Sequence, residues 1–442
     1  MDYSPGRITG ARLGLVRAVA AEDQVPLANS DYRTAIGQEP RFLGHIVLST
    51  CAGHKIGTHN SMNDLLIAGA GIAGTALAIH LARRGHSVVL VERGRFPREK
   101  PCGEGLMPAG VAALERLGID TAGLGAQFYG IRYHCEGHMA EGHFLLSGAA
   151  GLGRGIRRRE LDAVLAEVAA KTPGVTLHTG ARVTGPLFER GRVTGLLVEG
   201  QPIRARLVVG ADGAQSRLRH VLNLNRASRR KRLGICRHFG HLSAAESRGY
   251  VEVFLGHGHE LYVTPLRNGE ILVAALADAD AIDGRIEELF RRWCEAQPKL
   301  ASLLRNAEPA SDLLVTSPRS GSARRRVLPK FVLLGDAAGF TDPITGGGMT
   351  QALQSAEMLA QHLAVEPDWT EGFLESFDST REKMLLDYRR LTSAMLWLGK
   401  HPPLIGPVLS AMGFVPSLFS HLLSVAGGAR GLLGCRRFIS TS

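Results

Sequence analysis

The sequence predicts an α/β fold, and three stretches carry the prediction. The first is a strand, glycine turn, helix and strand in register over residues 64–92. The other two are later strands, 204–210 and 330–334, each running into a turn that carries an aspartate. Residues 64–68 form a short aliphatic run of the kind buried in a parallel sheet. Gly69, Gly71 and Gly74 follow as G-x-G-x-x-G, and residues 72–84 repeat apolar side chains at helical spacing until Gly85. Residues 87–91 read as the second strand. In such a unit the glycines allow a tight turn, close approach of a pyrophosphate and close helix–strand packing. The helix N-terminus adds free N–H groups and partial positive charge. Glu92 stands 23 positions after Gly69, where a carboxylate can accept hydrogen bonds from an adenosine ribose. A Rossmann-type dinucleotide site follows from the whole unit rather than from the glycines alone. The second glycine cluster, 151–155, follows no clear strand and reads as a loop.

The two later strands end in 211–217 (Ala-Asp-Gly-Ala-Gln-Ser-Arg) and 335–349 (Gly-Asp-Ala-Ala-Gly-Phe-Thr-Asp-Pro-Ile-Thr-Gly-Gly-Gly-Met). Asp212 and Asp336 therefore lie at the carboxyl ends of strands, the edge where open α/β sheets bind ligands. Asp-Gly and Asp-Ala are also ordinary turn formers. With its early G-x-G-x-x-G, central D-G and late G-D in order, the chain resembles the flavoprotein monooxygenases of the p-hydroxybenzoate hydroxylase type. Their relatives, the geranylgeranyl reductases and flavin-dependent halogenases, show the same order. The resemblance spans residues 64–363 and implies a glutathione-reductase-like domain holding FAD rather than NAD. It implies that Asp336 bonds the ribityl chain, and that Gly346, Gly347, Gly348 and Met349 bring N–H groups to the flavin's pyrimidine edge. It implies FAD contacts for Arg158, a role for Asp212 with FAD and transient NAD(P)H, and places Ala73, Arg93 and Val183 around the cofactor.

Residues 100–108 (Lys-Pro-Cys-Gly-Glu-Gly-Leu-Met-Pro) resemble a flavin-proximal segment of the reductases and halogenases. Cys102 and Glu104 are the weak catalytic candidates there; a cysteine without a resolving partner is more often a packing residue. Trp293, Trp369 and Trp397 are isolated, which speaks against halogenation. Within the resemblance, NAD(P)H reduces FAD, and a flavin C4a-hydroperoxide then hydroxylates or epoxidises a lipophilic aromatic, polyketide or isoprenoid substrate. Reduction of C=C bonds is the alternative. A flavin-binding electron-transfer or sensor protein without turnover is the reading from another class.

The chain has 442 residues, 45% of them hydrophobic, enough for a large core. Its expected division is an extension over 1–61, a discontinuous FAD-binding domain over 62–221 and 327–365, a β-rich substrate insert over 222–326 and a helical segment over 366–442. Met62, directly before the first strand, reads as the natural start. In the insert, strands 261–266 and 271–276 are joined by Asn268-Gly269, a strong hairpin signal. Residues 175–210 read as a β-meander. Six cysteines without a C-x-x-C pair argue against zinc or iron–sulfur ligation, predict no metal, and fit a reducing, cytoplasmic compartment. The net charge of +11 gathers in runs at 157–159, 229–232 and 324–326. Without interleaved aromatics or a nucleic-acid module these read as solvated faces, with no nucleic-acid partner. Residues 401–429 carry no Asp, Glu, Lys or Arg, yet Pro402, Pro403, Pro407 and Pro416 should break them into short helices. A peripheral membrane contact or a cover over the substrate site are the expectations for this segment. The oligomeric state is not legible.

Overall fold

The computed structural model describes residues 62–146, 149–226, 232–240, 249–316 and 322–432. The expectations for residues 1–61, including Met62 as the start, concern a segment outside the described residues. So do Cys51, Cys435 and most of the 229–232 run.

Five parallel strands form the heart of the first sheet, in the spatial order Val175–Thr179, Val88–Glu92, Asn63–Ala68, Gln201–Gly210 and Phe331–Leu333. The aliphatic side chains of Asn63–Ala68 and Val88–Glu92 are buried on both faces, as parallel strands covered by helices require. The helix Ile72–Ala82 is buried along its whole length, so apolar residues all round it are what its position demands. Helices Arg158–Lys171 and Gly348–Leu363 pack against it. Leu65, Ile67, Leu77, Leu207, Leu353 and Phe377 belong to one continuous core.

The strand Gln201–Gly210 serves two neighbourhoods. Its first half pairs antiparallel with Arg192–Val198, which pairs in turn with Val183–Glu189. Its second half lies in the parallel sheet. The meander therefore covers 183–210, and Val175–Thr179 leaves it to pair parallel with Val88–Glu92. Periodicity alone could not separate a meander strand from a sheet-edge strand of the same length.

The second sheet is mostly antiparallel: Glu308–Pro309, Arg232–Gly240, Ile271–Asp278, His259–Pro265, Tyr250–Gly256, Gly130–Cys135, His138–His143, with Leu314–Thr316 also on Arg232–Gly240. Asn268 and Gly269 both have positive φ (58° and 70°), the geometry their hairpin needs. The sheet also takes Gly130–Cys135 and His138–His143 from ahead of residue 222, through one parallel pairing with Tyr250–Gly256.

The 151–155 cluster corrects a loop assignment. Gly153–Gly155 is the central strand of a small sheet between Gly105–Leu106 and Ala126–Phe128. A Cβ on Gly155 would stand 1.8 Å from the Pro265 carbonyl oxygen, and one on Gly153 would stand 2.4 Å from the Phe128 ring. Gly155 is there because the second sheet approaches too closely for a side chain, and Gly153 because the Phe128 ring of the neighbouring strand fills that space. The basic runs need a correction too, because described arginines within them turn inward. Arg158 and Arg232 are buried, and Arg326 is half-buried against Asp378.

After the long helix Glu371–Leu398, helices Pro402–Phe414 and Pro416–Ala426 meet at a 107° bend. No single helix among the described residues is long and apolar enough to cross a membrane. Only Pro416 breaks this segment as expected. Pro402 and Pro403 open a helix, where their missing N–H groups cost nothing, and Pro407 is carried inside it. The inner faces of both helices, through Ile405, Leu409, Phe419 and Leu423, pack on Ile131, Tyr133 and Val251 of the second sheet.

Candidate active site

The glycine turn, the Asp212 loop and the Asp336 turn emerge side by side, because their strands are neighbours at one sheet edge. Each glycine of the motif has its own reason. Gly69 (φ +102°) would put a Cβ 2.4 Å from the Ala211 carbonyl oxygen, and Gly74 one 1.9 Å from the carbonyl oxygen of Gly69. Gly71 has open space where its Cβ would be, and that space is a cavity. The glycine is thus a cradle that a side chain would fill. The first-turn amides of Ile72–Ala82 open beside it, since the N-cap Gly71 offers no side-chain partner.

Glu92 is buried and holds the turn from within. Its Oε2 accepts from the Ala70 N–H (3.0 Å) and its Oε1 from the Gly94 N–H (2.9 Å). Arg98 links it, at 3.6 Å, to Asp162, at 3.4 Å. Asp162 in turn anchors Arg158, whose Nε and Nη2 donate to it at 3.0 and 2.8 Å. Burial opposes the Arg158 charge, but Asp162 and Cys102 hold its proton above the ordinary value. Lys100, lining the same cavity, moves the other way: the charge of Arg158 and then burial lower its pKa.

Asp212 accepts from the Leu218 N–H through Oδ2 (3.1 Å), while its buried Oδ1 has no partner within the protein. An orphaned buried acceptor beside a cavity is what a ligand hydroxyl would satisfy. The backbone around Asp336 is fixed by Arg219. Its guanidinium donates to the carbonyls of Asp336 (3.2 Å), Ala337 (2.8 Å) and Ala214 (2.5 Å). Burial lowers the Arg219 pKa, with Asp212 and Asp336 opposing. Gly346 is left-handed (φ +69°), and Gly348 has open space before the uncapped start of Gly348–Leu363.

One cavity of about 290 Å³ joins these parts. Among the expected residues it is lined by Gly71, Ala73, Cys102, Glu104, Arg158, Asp336, Gly346, Gly348 and Met349. Gly69, Gly74 and Glu92 shape it from behind, and Asp212 stands between its lining residues Ala211 and Gly213. Gly347 faces away, toward Tyr388 and the carbonyl of Ala426. Arg93 is exposed, and Val183 is half-buried in the meander; neither lines the cavity. Opposite the glycine loop the wall is Phe128, Ile131, Tyr133, Val251, Val253 and Tyr262. The resemblance implied that the β-rich insert supplies such a wall, and Val251, Val253 and Tyr262 come from it. Sequence reasoning missed Phe128, Ile131 and Tyr133, which reach the wall from ahead of the insert, Ile131 and Tyr133 through a pairing across 120 positions. It also missed Arg98 and Arg219, single basic residues with no motif around them, and gave no role to Lys100, which opens the 100–108 segment. Tyr262 ties the wall to the loop ahead of Gly348–Leu363 by donating to the Ile344 carbonyl (3.1 Å), and Arg232 does so through Asp342 (2.8 Å). Among the described residues no group of His, Cys, Asp and Glu could hold a metal ion.

The open cradle at Gly71, the unpaired Asp212 Oδ1 and two uncapped helix starts fit FAD laid across the sheet edge. Comparison with known proteins gives the same cofactor. The FAD binding domain family matches residues 62–385. Menaquinone reductase of Mycolicibacterium smegmatis is 28% identical over 79% of this chain and 88% of its own length. Digeranylgeranylglycerophospholipid reductase of Methanosarcina acetivorans is 27% identical, over 72% of this chain and 79% of its own. Ubiquinone hydroxylase UbiL of Rhodospirillum rubrum is 28% identical, over 71% and 75%. The flavin-dependent brominase Bmp2 shares the fold, with a TM-score of 0.73 at 18% identity over 83% of this chain and 94% of that one. The chain belongs to the FAD binding domain family and is an FAD-dependent oxidoreductase.

Proposed function

We propose that the chain is a reductase that adds hydrogen across a C=C bond of an isoprenoid-bearing lipid. The observation that carries this is the cavity wall. Phe128, Ile131, Val251 and Val253 present hydrocarbon toward the Gly346–Met349 loop, and the one carboxylate on that side, Glu104, is already bonded to His238 and the Arg158 N–H. A charged substrate would lose its hydration there without compensation, whereas a prenyl chain loses only unfavourable contact with water. Two of the relatives above are reductases whose names specify menaquinone and a digeranylgeranyl lipid. Bound FAD, reduced by NAD(P)H, supplies the hydride. The protein orients the chain against the flavin edge, with Tyr133 and Tyr262 as the polar marks on an apolar wall, and excludes water. The test is NAD(P)H oxidation by the FAD-loaded protein with prenylated quinones and polyprenyl lipids, against head groups lacking the chain. Stimulation by the head groups alone contradicts the reading.

Hydroxylation by molecular oxygen is the second reading. Similarity to a ubiquinone hydroxylase favours it, and the same apolar wall would shield the reaction from water.

The substrate class implies contact with lipid, and we propose that the C-terminal helix pair provides it. Phe414, at the 107° bend, is 87% exposed, and Leu404, Val408, Val415 and Leu418 around it are exposed too. The segment carries no formal charge while the chain is at +11, a combination suited to insertion at an anionic lipid surface. Flotation with vesicles of phosphatidylcholine and phosphatidylglycerol tests it: Phe414→Ser with Val415→Ser should leave the protein in the lipid-free fraction. Equal flotation of parent and variant contradicts the contact.

A further inference from the structure

We propose that Glu104, His238 and Ser311 form a proton relay from the protein surface to the flavin cavity, delivering the proton that accompanies each hydride. The proposal rests on the reduction reading. Saturating one C=C bond breaks the π bond and makes two C–H bonds. One forms with the hydride of FAD reduced by NAD(P)H, which leaves FAD oxidised, and the other with a proton that must enter from solvent.

The array is buried at one end and reaches the surface at the other. Glu104 lines the cavity and is 2% exposed; His238 is 1% exposed. Glu104 Oε1 accepts from the Arg158 N–H (2.7 Å), which leaves Oε2 facing His238 Nε2 at 2.9 Å. His238 Nδ1 lies 2.9 Å from Ser311 Oγ, on a half-buried residue followed by the exposed Asp312.

Hydrogen-bond bookkeeping at Ser311 shows why the array can move a proton. Its Oγ accepts from the His238 backbone N–H (3.1 Å) and lies 3.0 Å from the Asp312 carbonyl oxygen. The hydroxyl has one proton and two acceptors to choose from. Pointing at Asp312, it leaves its oxygen to accept from Nδ1–H, and the ring can be a cation paired with the Glu104 carboxylate. Swung to Nδ1, it holds a neutral ring whose Nε2–H donates to Glu104. A proton arriving at Nδ1 can thus leave from Nε2 onto Glu104, and no buried donor is stranded in any of these states.

The backbone aims the carboxyl group. Glu104 has φ 55°, a left-handed conformation that costs a non-glycine residue energy. It is held there on both sides: its carbonyl accepts from the Ile156 N–H (3.0 Å), and that of Gly103 from Thr264 Oγ1 (2.8 Å). Other titratable or charged groups near the array are Arg157, Arg158 and Glu160 at the start of one helix, Cys102, Cys236 and Asp312. Glu104 touches the cavity; His238 and Ser311 act through it and are positioning residues.

The test uses the full FAD-loaded chain, its flavin photoreduced anaerobically in weakly buffered solution while flavin absorbance and a pH indicator are followed separately. Proton uptake should keep step with reduction in the parent and in Ser311→Thr, which retains the hydroxyl. In Ser311→Ala and His238→Gln uptake should lag by about 10²-fold, the scale of a lost positioned proton donor, at unchanged FAD occupancy. Uptake in Ser311→Ala as fast as in the parent overturns the relay, whether or not His238→Gln folds. A relay-dependent uptake in a protein that forms no saturated product would instead sink the reduction reading and leave the relay standing.

Discussion

Replacing Gly71 by valine separates the fold from the cofactor site. Gly71 has φ −77° and ψ −177°, an extended conformation that any residue adopts, and no protein atom lies within 4 Å of where its Cβ would be. Gly71→Val therefore asks nothing of the core. Its branched side chain occupies the space into which the pyrophosphate must come. Inserting methyl groups into a filled site costs about 1–3 kcal/mol, and each 1.4 kcal/mol is about tenfold in affinity. FAD should bind about 5- to 140-fold more weakly, while the apoprotein melts as the parent does. Gly74→Ala is the contrast. Its Cβ would stand 1.9 Å from the Gly69 carbonyl oxygen, a backbone atom that cannot turn aside. The gain of about 0.5–1 kcal/mol from replacing a helical glycine does not offset that clash, so this variant should lose apoprotein stability. Fluorescence titration with FAD and thermal melts of both apoproteins measure the two effects. Full FAD affinity in Gly71→Val, or a Gly74→Ala apoprotein as stable as the parent, would refute the assignment of roles within the motif.

Other outcomes follow from the same geometry. Acid precipitation should release FAD into the supernatant, since nothing in the cradle points to a covalent link; flavin retained in the pellet contradicts this. Asp336→Ala should weaken FAD by about tenfold or more through loss of a charged acceptor worth about 1.5–3 kcal/mol, read by equilibrium dialysis. The pKa of Glu252 is brought to about 2: burial would raise it, but hydrogen bonds from His134 and Lys299 prevail. Its folded pKa lies below the unfolded one near 4.5, so its stabilisation is complete above pH 4.5 and disappears as pH falls toward 2. Glu252→Gln should cost about 1–2 kcal/mol at pH 7, allowing for partial exposure, and flatten the acid limb of the melting curve. A variant with the parent's acid limb would contradict that.

What was legible in the sequence was local. Gly69–Gly74, Asp212, Asp336 and Asn268-Gly269 report on backbone geometry within a few residues, and short-range sterics write them directly into residue types. The fold class and a dinucleotide site follow from such signals; FAD is what the resemblance carried by the ordered motifs implies, and the FAD family match agrees. What was not legible depends on distant partners. The parallel pairing of Gly130–Cys135 with Tyr250–Gly256 adds Ile131 and Tyr133 to the cavity wall expected from the insert alone, and no periodicity announces it. Glu104 meets His238 across 134 positions, and Arg219 meets Asp336 across 117. The strand Gly153–Gly155 was unreadable for a related reason: its glycines answer to Phe128 and Pro265, which sequence analysis could not place beside it. Arg232 looked like a member of a solvated run, and only the resemblance set Arg158 apart from its own, because burial belongs to single residues while runs are seen as wholes.

Reduction and hydroxylation part at one measurement. FAD-loaded protein should be reduced with NAD(P)H, given a prenylated quinone or polyprenyl lipid under strictly anaerobic conditions, and the product weighed by mass spectrometry. A product heavier by two hydrogens, formed without oxygen, is the result expected from the apolar wall, the buried proton source and the reductase relatives. No anaerobic product, together with one labelled oxygen atom incorporated when ¹⁸O₂ is admitted, would contradict it.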